Sequence, residues 1–160
     1  MKIMKNNTVL KNALLIFLGI GLFFLLMDFL GLASKNYLRS LNAFIVLYGM
    51  HKTIKYNYTK GKMDYFENLF SGFVTGVLGV FLGIVGLIAF IYFKGGESYL
   101  NTLSDTFFFV GEISMIQYCG VLFFEGVASC LIGSLVLMQF YNVNKIKTII
   151  KKPKITKSPL

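Results

Sequence analysis

The sequence predicts an all-α integral membrane protein, a four-helix bundle with both termini in the cytoplasm. Three observations lead there. The 160 residues are 56% hydrophobic and only 14% charged, the apolar residues fall in long blocks, and the basic residues crowd alternate connections. A soluble domain carries about 25% charged residues, so this chain is short of polar surface. Its net charge is +9 and its mean hydropathy +0.68, with 17 Phe, 9 Tyr and no Trp. The length suits one domain, residues 1–160. Disorder, collagen-like repeats, nucleic-acid-binding modules and soluble enzymes all fit this composition badly.

The first predicted span, 13–33, holds a single charge, Asp28. Twenty-one helical residues cover about 31 Å, one hydrocarbon core. The flanking Lys2, Lys5 and Lys11 and the small-residue ending at Ala33 imitate a secretory signal. The apolar stretch exceeds the usual h-region of roughly 7–15 residues, so a retained span is expected. The second span, 37–56, is the weakest, because only 41–50 is cleanly apolar. Lys52 and Lys55 would have to snorkel to the headgroups, and a short re-entrant segment is the alternative.

The third span, 69–93, contains 25 residues without a charge. Before it, Asp64 and Glu67 sit where a helix start favours carboxylates, with Asp64 as the cap. A polar connection follows, 94–105, with Gly95-Gly96 as its turn. The run 106–141 is too long for one crossing, since its 36 helical residues would reach about 54 Å. Counting back from Tyr141 places the fourth span at 118–141. Residues 97–117 then form an outer interfacial, kinked or projecting segment, with Gly111 and Gly120 as kink points.

A basic tail, 142–160, ends the chain. Its Lys145, Lys147, Lys151, Lys152, Lys154 and Lys157 can meet anionic headgroups, each worth about 1 kcal/mol near the surface. Four spans with both ends inside put thirteen basic residues in the cytoplasm and three, Lys35, Arg39 and Lys94, outside. That is the asymmetry of the positive-inside rule.

The junction from Gly61 to Gly72 reads GKMDYFENLFSG. It resembles a pattern in a family of small bacterial four-helix membrane proteins, the domain-of-unknown-function family four-one-nine-nine. There a glycine is followed by an apolar, an aromatic and a Gln or Glu at two-residue steps, then an apolar residue and a glycine. Gly61, Met63, Tyr65, Glu67, Leu69 and Gly72 take those places. The resemblance implies a cytoplasmic-membrane location and transfers no activity and no catalytic residue. Family members often carry a longer acidic segment between the last two spans than this chain does.

The strongest local signal is the series Gly72, Gly76, Gly79, Gly83 and Gly86, whose 4, 3, 4, 3 steps share one helix face. In lipid such a face lets helices approach closely. Cys119, Gly126 and Gly133, with Glu112 before them and Cys130 beside them, form a second small-residue face. The third and fourth spans are therefore expected to pair antiparallel, and leucine at Gly79 or Gly83 to part them. A homodimer or a seat for a foreign helix is the functional alternative.

Asp28, Arg39 and Glu125 fall at a similar predicted depth and form an expected intramembrane polar cluster. Glu125 also shares a face with Ser114, Tyr118, Ser129 and Gln139. His51 reads as a headgroup-level polar residue, and the two cysteines as packing residues. No phosphate loop, nucleophile turn or zinc-helix motif occurs, so no catalytic residue, metal or cofactor is expected. The expected partners are the bilayer, its anionic cytoplasmic headgroups, and a homo-oligomer or larger membrane complex, without nucleic acid. The expected role is a non-enzymatic accessory or scaffold component. A small-solute or proton-coupled transport component centred on Glu125 is the alternative.

Overall fold

The structure, a computed structural model, describes residues 7–32, 38, 40–61, 64–96, 98–100 and 114–151, with 143–151 as helical backbone only. The described residues form helices and no strand. Four long helices follow in order: α1 Asn7–Phe29, α2 Asn42–Thr59, α3 Tyr65–Lys94 and α4 Met115–Lys151. Three stretches are long and apolar enough to cross a membrane: α1, α3 and the Met115–Asn142 part of α4. α2 differs because Asn42, Lys52, Thr53, Lys55 and Asn57 interrupt its apolar residues.

Local chemistry sets the helix starts. Asp64 stands in extended backbone ahead of α3, and its carboxylate accepts from the backbone N–H of Phe66 at 2.9 Å and Glu67 at 3.4 Å. That satisfies donors that every helix start leaves open. α4 opens on a reciprocal pair: Gln117 N–H donates to Ser114 Oγ at 3.3 Å, and Ser114 N–H donates to Gln117 Oε1 at 3.1 Å. This capping box starts the helix at Met115. Gly120 therefore lies inside α4, while Gly111 and Glu112 lie outside the described residues. At the other end α4 continues past Tyr141 into the basic segment as far as Lys151. Gly61, at φ +77°, takes the left-handed turn that ends α2.

The helices alternate in direction. Asn12 meets Thr53 and Gly19 faces Ile45, so α1 and α2 run oppositely. Ile16 faces Gly79 and Asp28 meets Lys94, so α1 and α3 run the same way. Gly126 faces Val80 and Cys130 faces Gly76, so α3 and α4 are antiparallel. We call the end where α1 and α3 begin basal, and the opposite end distal.

α3 packs against all three other helices, and its glycines explain how. They face side chains rather than other glycines. A Cβ on Gly72 would stand 2.9 Å from Ile54 of α2, and one on Gly76 would be 2.7 Å from Cys130 Sγ and 2.9 Å from Met50 Sδ. Gly79 and Gly86 turn to α1, where a Cβ would meet Ile16 at 2.6 Å and Phe17 at 2.9 Å. On α4, Gly126 receives Val80 at 2.5 Å and Gly133 receives Leu47 of α2 at 2.7 Å. Each glycine is thus a pit for a neighbour's side chain, where dispersion contacts accumulate. Gly83 is different: its nearest neighbour would be Ile20 at 3.9 Å, so leucine there has room and need not part the helices.

The exterior is apolar. Leu14, Leu18, Leu22, Leu25, Leu26 and Phe29 project outward from α1, with Leu22 67% exposed. Ile116, Phe124, Ile132 and Val136 do the same on α4. Fully buried positions include Thr53, Asn68, Thr75 and Ser134. Polar groups inside and leucines outside suit a lipid solvent.

Gly79→Ala is expected to cost about 1–3 kcal/mol through overpacking against Ile16. Gly83→Ala is expected to be neutral or stabilising by up to about 1 kcal/mol. Thermal unfolding of the two variants in detergent ranks them, and equal losses would contradict this packing.

Candidate functional site

Three polar features lie along the helices, and an apolar cavity lies between two of them. The first feature is a buried layer near the basal end. Asn12 Nδ2 donates to Thr53 Oγ1 at 2.9 Å, joining α1 to α2. The Thr75 hydroxyl of α3 stands 3.1 Å from that of Thr53 and 2.7 Å from the carbonyl oxygen of Ser71. The side chains of Asn12, Thr53 and Thr75 are buried, which is tolerable because they bond one another and the Ser71 carbonyl oxygen. The sequence carried a sign of this layer that glycine counting overlooked. Asn68, Ser71 and Thr75 keep the same three- and four-residue steps as Gly72, Gly76 and Gly79.

The second feature closes the distal end. The Asp28 carboxylate accepts from the Tyr99 hydroxyl at 2.6 Å and pairs with Lys94 Nζ at 2.9 Å. Lys94 Nζ also lies over the rings of Phe90, at 5.8 Å, and Tyr99, at 5.6 Å. Burial raises the Tyr99 pKa well above its ordinary value, and the bond to the Asp28 carboxylate adds to the rise. The sequence reading nominated neither partner of Asp28. Tyr99 is 71 residues away, beyond the end of α3, where no helical periodicity indicates what it faces.

The third feature is aromatic. His51 Nδ1 lies 3.3 Å from the Tyr141 hydroxyl, and Tyr141 stacks on Tyr58 at 4.9 Å with a 9° tilt. His51 thus sits at the basal end among tyrosines. No group of three or more His, Cys, Asp or Glu that could hold a metal occurs among the described residues.

Between the polar layer and the distal pair lies a cavity of about 560 Å³ bounded by all four helices. Phe17, Ile20 and Phe24 of α1 and Val80, Ile84, Leu87 and Phe90 of α3 make apolar walls. Ser40 and Asn42 border it near the start of α2, and Tyr118, Glu125 and Ser129 on α4. Gly83, Gly86, Gly126 and Gly133 line it too, and at Gly83, where no side chain comes nearer than Ile20, the missing side chain helps make the space. Ile16 and Met50, both fully buried, separate it from the polar layer on α1 and α2.

The sequence-nominated residues scatter accordingly. Tyr118, Glu125 and Ser129 do share one wall, whereas Ser114 is used as a cap and Gln139 is exposed away from the cavity. Asp28 sits in the distal pair and Glu125 on the cavity wall, while Arg39 lies outside the described residues. Lys145, Lys147 and Lys151 fall on the backbone of the α4 extension, and Lys152, Lys154 and Lys157 lie outside the described residues. Cys119 packs with Ile91 and Leu100, and Cys130 with Ile16 and Met50. Comparison with protein families, with curated proteins and with solved structures finds no match for the chain.

Thr53→Val keeps the shape of the polar layer but removes its central hydroxyl. It is expected to lower stability in detergent by about 1 kcal/mol, the scale of an interhelical hydrogen bond in lipid. An unchanged unfolding midpoint would show that the layer carries no net stabilisation.

The distal pair predicts a pH effect. Because folding raises the Tyr99 pKa, its contribution is fully present below the ordinary value of 10.0 and is lost as pH rises through the folded value. The stability advantage of wild type over Tyr99→Phe should therefore hold steady up to about pH 10 and shrink above it. An advantage that grows with pH would contradict the assignment.

Proposed function

We propose that the chain is a four-span protein of a bacterial cytoplasmic membrane, with both termini in the cytoplasm. It serves as a non-enzymatic accessory or scaffold component of a larger membrane assembly. The observation that carries the topology is the sorting of lysines by end. Lys11 on α1 and Lys52, Lys55 and Lys60 on and after α2 gather at the basal end, where the α4 extension also emerges. The distal end has Lys94, held by Asp28. Under the positive-inside rule the basal end is cytoplasmic. α2 completes the count despite its polarity, because Thr53 and Asn57 point into the protein rather than to lipid. The likeness of the Gly61–Gly72 junction to family four-one-nine-nine agrees with this reading.

What supports the accessory role is the surface that remains free for contact. The glycine pits are filled from within the chain, so another protein would meet the outward leucine and phenylalanine faces of α1 and α4. The transport reading draws on Tyr118, Glu125 and Ser129 at the cavity. It has less support, because Ile16 and Met50 are fully buried between that cavity and the basal end.

Two measurements on native membranes test the proposal. A cysteine at Ser98 should react with an impermeant thiol reagent in intact cells, and one at Lys60 only after permeabilisation. Extraction in mild detergent should yield the chain with a second, different chain at fixed stoichiometry. Reaction of both cysteines in intact cells would overturn the topology. A complex of this chain alone would overturn the accessory role in favour of transport.

A further inference from the structure

We infer that the interhelical cavity binds a neutral single-chain amphiphile, with its hydrocarbon in the apolar part and a hydroxyl head at Glu125. The inference stands on the cavity and is independent of the accessory role.

Size comes first. At about 560 Å³ the space falls within the roughly 300–1,000 Å³ of sites that enclose a whole small ligand. It is also elongated. Its α3 wall runs from Val80 to Phe90, about 15 Å of helix, and is aliphatic before it becomes aromatic. A flexible hydrocarbon matches such a wall better than a compact polar solute does.

The polar groups then select the head. Glu125 brings carboxyl oxygens to the wall, and their several acceptor sites can take a hydrogen bond from a ligand beside the interaction Glu125 makes within the chain. Asn42, also at the wall, has an Oδ1 that is buried and makes no hydrogen bond among the described residues. Both groups call for a donor. Glu125 lies ten residues, about 15 Å, beyond the start of α4, well below the distal helix end. A charged head would have to shed its hydration to reach that depth, whereas a hydroxyl loses far less. Ordinary bilayer lipids keep their heads at the interface and offer no donor at this level.

The test uses the full chain in phosphatidylcholine nanodiscs and hexadecanol bearing a mid-chain diazirine, with labelled peptides located by mass spectrometry. Saturable labelling should map to the cavity walls of α1, α3 and α4, and excess plain hexadecanol should suppress it while its methyl ether does not. Glu125→Leu should weaken retention about fivefold or more, as expected for the loss of a hydrogen bond. Gly83→Leu, which fills the cavity, should abolish the saturable labelling while thermal unfolding shows a folded protein. Labelling spread without saturation over the outward leucines would overturn the site. Equal competition by the methyl ether, or stronger competition by hexadecylamine, would overturn the choice of head.

Discussion

The rest of the structure depends on one constraint: polar side chains on these helices must find partners within the protein, because lipid supplies none. The Asn12–Thr53–Thr75 layer is where that constraint is met, and it ties three helices at one level. Sliding α1 or α2 by a turn would separate Asn12 from Thr53 and leave buried donors without acceptors. The same slide would move Ile16 off Gly79 and Ile54 off Gly72. Hydrogen bonds and pits therefore specify one register together. Apolar contact alone could not, since leucine is as well solvated by lipid tails as by another helix.

The cavity is a consequence of that register. Towards the basal end the glycine pits are filled by large side chains, and the interior is closed. Above Ile16 the series continues, but at Gly83 only Ile20 approaches, at 3.9 Å. The series is thus closely filled at Gly72, Gly76, Gly79 and Gly86 and underfilled at Gly83. Phe24 and Phe90 meet edge to face at 5.4 Å at the distal margin, and the Asp28–Lys94 pair lies one helical turn beyond them. An apolar space between two cross-linked levels, partly open toward the exposed Leu25, Ile132 and Val136, is the result.

Much of this was legible in the sequence, and the remainder was hidden for identifiable reasons. The helical class and the long apolar blocks could be read because periodicity and length are local properties. The Asp64 cap was equally local. The start of α4 was readable in principle from Ser114 and Gln117, yet the surrounding apolar run drew attention to Gly111 and Gly120 instead. Glycine spacing revealed a face but not its occupants. It suggested one paired helix, whereas α3 shares that face among α1, α2 and α4. Depth counting grouped Asp28 with Arg39 and Glu125, but Asp28 meets Lys94 and Tyr99 at the distal end, whereas Glu125 lies near the level of Val80, well below it. The Thr and Asn layer was hidden because single polar residues at helical spacing look like ordinary interruptions of an apolar pattern.

The outward leucines face hydrocarbon while the Asn12–Thr53–Thr75 layer lies inside. Spin labels placed singly at Leu18 and Leu22, in the protein reconstituted in bilayers, test it most directly. Their relaxation should respond strongly to dissolved oxygen, which concentrates in the bilayer core, and hardly at all to a water-soluble nickel chelate. Strong relaxation by the nickel reagent at both positions would place those faces in water and contradict the account.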